Sequence, residues 1–199
     1  MLTVFPIAFF GNVEYFKELA NSSHPIFEVK EHILKGTFRS RCEILSPNGI
    51  QQLNVPLYRP NGSKTLIDQV ELSTETDWQV KIWRSIKTAY SSAPFFDHYG
   101  IEVEELIFNK EKNLCLYTNK ITERILEWLS IPIDLKFSTE YIENSIIQDF
   151  RLENFNSLKE MPFYQQVFST GKEFYPNLSI LDLVFCEGPM ARNWLLNSH

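Results

Sequence analysis

The hydrophobic period changes partway along the chain, and that change constrains the fold more than any other feature. Up to about residue 73, apolar residues come in short runs rich in β-formers; from Thr76 onward they recur every three or four positions. The early runs are LTVF (2–5), stopped by Pro6, then PIFEVKE (25–31), TFRSRCEIL (37–45) and QQLNVPL (51–57). Asn48-Gly49, between the last two, signals a hairpin because both residues accept positive φ at low cost. RPNGSK (59–64) reads as a loop, and Gln69–Ser73 as a further short strand. The exception in this part is NVEYFKELA (12–20), a helical run that Gly11 and Asn12 open as turn and N-cap.

In the second part, Trp78, Ile82, Ile86 and Ala89 or Tyr90 mark an amphipathic helix over Thr76–Ser92. Further helices are expected over Phe96–Phe108 and Leu114–Leu129, the latter with Leu116, Ile121, Ile125 and Trp128 on its apolar side and Ile131-Pro132 ending it. Residues 138–160 are polar, Asn-rich and weakly periodic, and read as either an active-site loop or a plain exposed connection, with the connection slightly favoured. Ser179 as N-cap, Asp182 three residues on and Gly188 as stop define a last short helix. The expected fold is α+β over a single domain, residues 1–199: a small N-terminal mixed or antiparallel sheet packed against a largely helical C-terminal half.

Charge and composition exclude several functions. A formal net charge of −6 disfavours a nucleic-acid binder, whose affinity needs a basic stripe to neutralise phosphates. The 14% aromatic content argues for a packed core and against disorder. The three cysteines, Cys42, Cys115 and Cys186, form neither a disulfide framework nor a metal-ligand pair, and the four histidines lack metal spacing. These counts imply a reducing, cytoplasmic setting with no metal site. The apolar opening 2–10 is too short for a membrane span and lacks the basic flank of a signal peptide. Neither GxGxxG nor GxxxxGK[ST] occurs, so a standard phosphate cradle is not expected.

The stretch KGTFRSRCEI (35–44) carries the strongest chemical hint. Strand alternation would put Lys35, Thr37, Arg39 and Arg41 on one face and Phe38, Ser40, Cys42 and Ile44 on the other. Such a face suits a phosphate or carboxylate, which guanidinium groups bind bidentately; the plainer alternative is a solvated face paired with Glu28, Glu31 or Glu43. Lys81, Arg84 and Lys87 form a second basic row on the helix over 76–92, again explicable as a solvated face. Asp182 and Glu187 lie in an otherwise apolar helix, where burial would raise a carboxylate into general-base range, although capping alone accounts for Asp182. Cys42 reads as a buried small hydrophobe.

FPIAFFGNVEYFKELA (5–20), KGTFRSRCEILSPNGIQQLNVPL (35–57), DWQVKIWRSIKTAYSSAPFF (77–96), DFR (149–151), FYQQVF (163–168) and PNLSILDLVFCEGP (176–189) together resemble the WbqC-like family. The opening departs from the commoner family form, with Phe5 rather than Gln before Pro6, so any role of that Gln does not carry over. The resemblance implies a setting in bacterial surface-polysaccharide biosynthesis, such as that of O-antigen. The family supplies a setting more than a reaction; within that setting the leading reading is a transferase that modifies an activated sugar, with acyl or aminoacyl transfer to an amino sugar as one form of it and no cofactor named. Lys35, Thr37, Arg39, Arg41 and Arg84 would anchor a phosphorylated small molecule such as a nucleotide-sugar; Trp83 or Tyr90 would stack a ring, and Asp182 or Glu187 would act as base. The competing implication is a non-catalytic accessory protein that binds a sugar ligand or an assembly enzyme.

Overall fold

A computed structural model describes residues 2–143, 147–152, 155, 163–169 and 173–196. Strand β1 (Leu2–Phe5) ends at Pro6, which cannot donate to a ladder, and helix α1 (Val13–Ala20) comes next, leading to β2 (Pro25–Phe27). Asn12 caps α1, its side chain accepting from the Tyr15 amide. Strands β3 (Arg41–Ser46) and β4 (Gly49–Asn54) form the hairpin that Asn48-Gly49 signals, with Gly49 at φ 97°. A smaller antiparallel pair, β5 (Leu57–Tyr58) and β6 (Glu71–Leu72), leads into α2 (Trp78–Tyr90), α3 (Phe96–Ile107) and α4 (Leu114–Trp128). Strands β7 (Lys136–Phe137) and β8 (Ile147–Asp149), then α5 (Ile180–Glu187) and α6 (Ala191–Leu196), complete the order.

The principal sheet corrects the expected architecture. Its order is β7-β2-β1-β8 and its three pairings are parallel, so it is not the antiparallel or mixed sheet expected from the sequence. Nor is it confined to the N-terminal half, since both its edge strands come from beyond residue 135. The stretch 138–160, read as a plain connection, supplies β8 and two buried polar residues, Ser138 and Arg151; residues 144–146, 153–154 and 156–160 of it lie outside the described residues. The chain passes from β1 to β2 on one side, extends to β7, then returns to β8 on the other side of β1. A parallel sheet of this type binds ligands beyond the carboxyl ends of its strands, where the order reverses; here that lies between β1 and β8.

The core is aromatic around β1 and α1. Phe5 stacks on Phe150 at 4.8 Å and meets the edge of Tyr15 at 5.9 Å, while Tyr15 contacts Phe155 at 5.2 Å. Trp78, Ile82, Ile86, Ala89 and Tyr90 are all buried, as the helical period predicts. On α4, Ile121 and Ile125 are buried, but Leu116 is 45% exposed, a correction to the expected apolar side.

Candidate functional site

The residues after β1 lead directly into a pocket of about 130 Å³ lined by Phe10, Asn12, Arg41, Glu43, Asn177 and Ser179 among others. Two helices begin at its wall. Asn12 caps α1, Ser179 caps α5 with its hydroxyl accepting from the Leu181 amide, and the two caps bridge one another. Cross-links fix this junction: the Val13 amide donates to Leu178 O at 3.1 Å, the Ile180 amide to Gly11 O at 2.9 Å and the Ser179 amide to Glu43 O at 2.8 Å. The Asn177 side chain accepts from the Glu14 amide at 3.0 Å. Both helix N-termini place partial positive charge beside Arg41.

Backbone strain concentrates at the same place. Phe10 (φ 43°) and Asn177 (φ 61°) line the pocket, and Phe155 (φ 47°) abuts it, its carbonyl accepting from the Asn12 and Asn177 side chains. Asparagine tolerates this region, but a bulky residue there is a true outlier. Such conformations persist only where surrounding contacts impose them, and they cluster at functional sites.

The basic face over 35–41 does not form. Residues 35–40 make turns, with Gly36 at φ 71°, and the strand begins only at Arg41. The four residues are therefore dispersed. Lys35 is exposed, and Thr37 is half-buried with its hydroxyl donating to Leu34 O. Arg41 lines the pocket, its guanidinium 3.4 Å from Gln52 Oε1. Arg39 points inward and is 1% exposed, pairing with Glu31 at 2.5 Å and donating to Arg151 O at 3.0 Å. The Glu31 pairing weighed for the plain alternative exists, although it is buried on the arginine side and not solvated.

Arg39 belongs to a polar network at the carboxyl ends of β1, β2, β7 and β8 that sequence reasoning missed. Glu28, fully buried just after β2, accepts from the Ser138 hydroxyl at 2.6 Å, the Lys30 amide at 2.7 Å, the Ile142 amide at 2.8 Å and Arg151 at 3.4 Å. Arg151 in turn clamps Asp149 through Nε and Nη2, which holds the Asp149 carboxyl below its usual range. Arg39 Nε is buried without a hydrogen-bond partner among the described residues. Most of these charges sit a few residues past a strand end, where no spacing rule reads from sequence.

The remaining candidates lie elsewhere. Asp182 is fully buried; Tyr90 donates to it at 3.0 Å, Tyr164 at 2.7 Å and Gln166 at 2.8 Å. Burial raises its pKa above the usual carboxylate range, and the three donors pull it partly back. It does not line the Arg41 pocket, and its geometry ties α2 and α5 to the segment 163–169. Tyr90, expected to stack a ring, is itself buried and occupied with Asp182 and the Leu45 amide. Trp83 stacks on Phe96 at 6.1 Å, and Arg84 is exposed beside the Asn48 turn. Glu187 ends α5, half-buried. Burial pushes the Cys42 and Cys115 thiols up to about 12, which suits buried hydrophobes and not nucleophiles. Among the described residues no cluster of His, Cys, Asp or Glu fits a metal, and no helix is long and apolar enough to cross a membrane.

No curated protein and no solved structure matches the chain significantly. The model of the WbqC-like protein family matches residues 8–153, a span that takes in the pocket's Phe10–Asn12 and Arg41–Glu43 walls and the network through Arg151. With most of its length so matched, the chain belongs to the WbqC-like protein family.

Proposed function

We propose that the chain is a transferase acting on an activated amino sugar in bacterial surface-polysaccharide assembly, and that the pocket between Asn12 and Ser179 is its ligand site. The observation that carries the reading is Arg41 on a pocket wall where two capped helices begin, at a junction with strained backbone. An arginine beside two helix N-termini favours an anionic group or an oxygen on which negative charge develops. Glu43 on the same wall supplies the complementary acceptor. A volume of about 130 Å³ admits a phosphate or an acyl group and leaves a nucleoside outside.

In the reaction the sugar amine attacks the acyl carbonyl. A C–N bond forms, the bond from the acyl carbon to its leaving group breaks, and the amine proton passes to Glu43, which replaces Asp182 and Glu187 as base because it lines the pocket. Arg41 stabilises the oxyanion that develops on the acyl oxygen. The polysaccharide setting is what the sequence resemblance implies.

The test is calorimetric titration with nucleotide-linked amino sugars and acyl-CoAs, with mass spectrometry of the mixture for the amide product. Binding of a donor or acceptor, its loss in Arg41→Ala at an unchanged melting temperature, and product formation are expected. Absence of binding, or an Arg41→Ala variant that binds as the parent does, refutes the assignment. Binding without product with any donor points to the non-catalytic sugar-binding protein.

A further inference from the structure

We propose that a second pocket, between the Gly36 turn and β5, is an anion site for a phosphomonoester carried on an apolar chain. Its volume is about 260 Å³, and its wall includes Lys35, Gly36, Ser40 and Arg59 with Ile33, Leu34, Val55 and Leu57. Among the described residues no carboxylate lines it. Elsewhere in this chain of net charge −6, Lys30 pairs with Asp68, Arg39 with Glu31, and Arg151 with Asp149 and Glu28. Arg59 is half-buried and Lys35 exposed, and among the described residues neither side chain has a hydrogen-bonding or ionic partner. An arginine partly withdrawn from solvent and without a counter-charge gains charge-assisted hydrogen bonds from a bound anion.

The apolar part of the wall sets the rest of the ligand. Ile33 and Val55 on this wall are buried and Leu34 is 45% exposed, so the cations share the pocket with both packed and accessible apolar surface. At about 30 Å³ per water the space equals roughly nine waters, enough for a phosphate and several methylenes. Gly36, at φ 71°, brings bare backbone to this pocket, while Arg41, whose guanidinium lies 2.8 Å from where a Gly36 Cβ would stand, lines the first pocket and not this one. Arg41 therefore serves the first pocket and the Lys35–Arg59 pair the second. Sequence alternation placed Lys35 with Arg41 and gave no reason to consider Arg59.

The test is titration calorimetry of the full chain with hexyl phosphate below its micellar concentration, inorganic phosphate and hexyl glucoside. Hexyl phosphate should bind at least tenfold more tightly than inorganic phosphate, and hexyl glucoside not measurably. Lys35→Gln/Arg59→Gln should weaken hexyl phosphate at least tenfold at an unchanged melting temperature, as should the single charge reversal Arg59→Glu, whereas Arg41→Gln should change it less than twofold. Co-sedimentation with phosphatidic-acid vesicles, lost in the double variant, would make a membrane lipid the source of the phosphate; hexyl phosphate binding without co-sedimentation would make it a soluble ester, and both outcomes support the site. Equal affinity for hexyl and inorganic phosphate, a double variant that binds normally, or loss of binding in Arg41→Gln would overturn it. Because the Arg41 and Arg59 variants report on different pockets, failure here leaves the transferase reading untouched.

Discussion

Replacing Asp182 by Leu tests whether the buried carboxylate is the tie that its contacts indicate. The substitution strands the Tyr90 hydroxyl, the Tyr164 hydroxyl and one Gln166 N–H, because the other Gln166 hydrogen is engaged by Tyr175 O at 2.9 Å. A buried donor left unsatisfied costs about 1–3 kcal/mol, so three of them, with some relaxation, should cost about 3–6 kcal/mol. For a chain of this size that lowers the melting temperature on the order of 10–20 °C. Asp182→Asn keeps one acceptor and turns an N–H toward the existing donors, at a cost of about 1–3 kcal/mol. Urea unfolding followed by tryptophan fluorescence is the assay, since Trp194 packs 5.6 Å from Tyr164 and reports on this junction. The acid dependence adds a second check. Asp182 binds its proton more tightly folded than unfolded, so its contribution favours the folded chain at low pH and is lost as pH rises through the raised folded value. Relative to Asp182→Asn, the parent should therefore gain stability on acidification from about pH 7 toward about pH 4. A Leu variant within about 1 kcal/mol of the parent would refute the reasoning.

Arg39→Met leaves Glu31 and Arg151 O without their donor, and breaking one side of such a buried pair should cost about 3–5 kcal/mol by the same urea assay. Gly188→Ala places a methyl 2.5 Å from the Phe95 ring at φ 55°, which overpacking and backbone strain together make about 2–5 kcal/mol destabilising. Asn12→Ala removes the cap of α1 and should cost about 1–2 kcal/mol, while disturbing ligand binding at the Arg41 pocket more than the distant Asn113→Ala cap variant of α4 does. Cys42 and Cys115 should resist iodoacetamide in the folded chain at about pH 8 and react on unfolding, as read by mass spectrometry.

Elements with their own local logic were legible in the sequence. The stripe from Trp78 to Tyr90, the Asn48-Gly49 hairpin and the Ser179 and Gly188 boundaries of α5 need only neighbouring residues to specify them. The parallel sheet was not legible, because β7 and β8 are two and three residues long, too short to display a period. The Lys35–Arg41 stretch misled for a related reason: alternation of residue types over 35–41 mimics a strand, but Gly36 at positive φ breaks it and the turn after it drives Arg39 inward. Of the pocket, Arg41 was read as a ligand residue and Asn12 only as a cap. Glu43 entered only as a pairing partner, and Asn177 could be recognised only after residues more than a hundred positions apart had been brought together.

The position of β1 in the sheet imposes a schedule on the chain as it is made. Its partner on one side, β2, is complete by residue 27, but its partner on the other, β8, ends at residue 149. At about 5–20 residues per second of synthesis, one flank of β1 stays open for about 6–24 s. Through that interval the strand depends on Phe5, Tyr15 and α1 to keep it from pairing elsewhere, and the network at the strand ends must wait for Arg151. Folding yield, more than final stability, is where the late arrival of β8 will be felt.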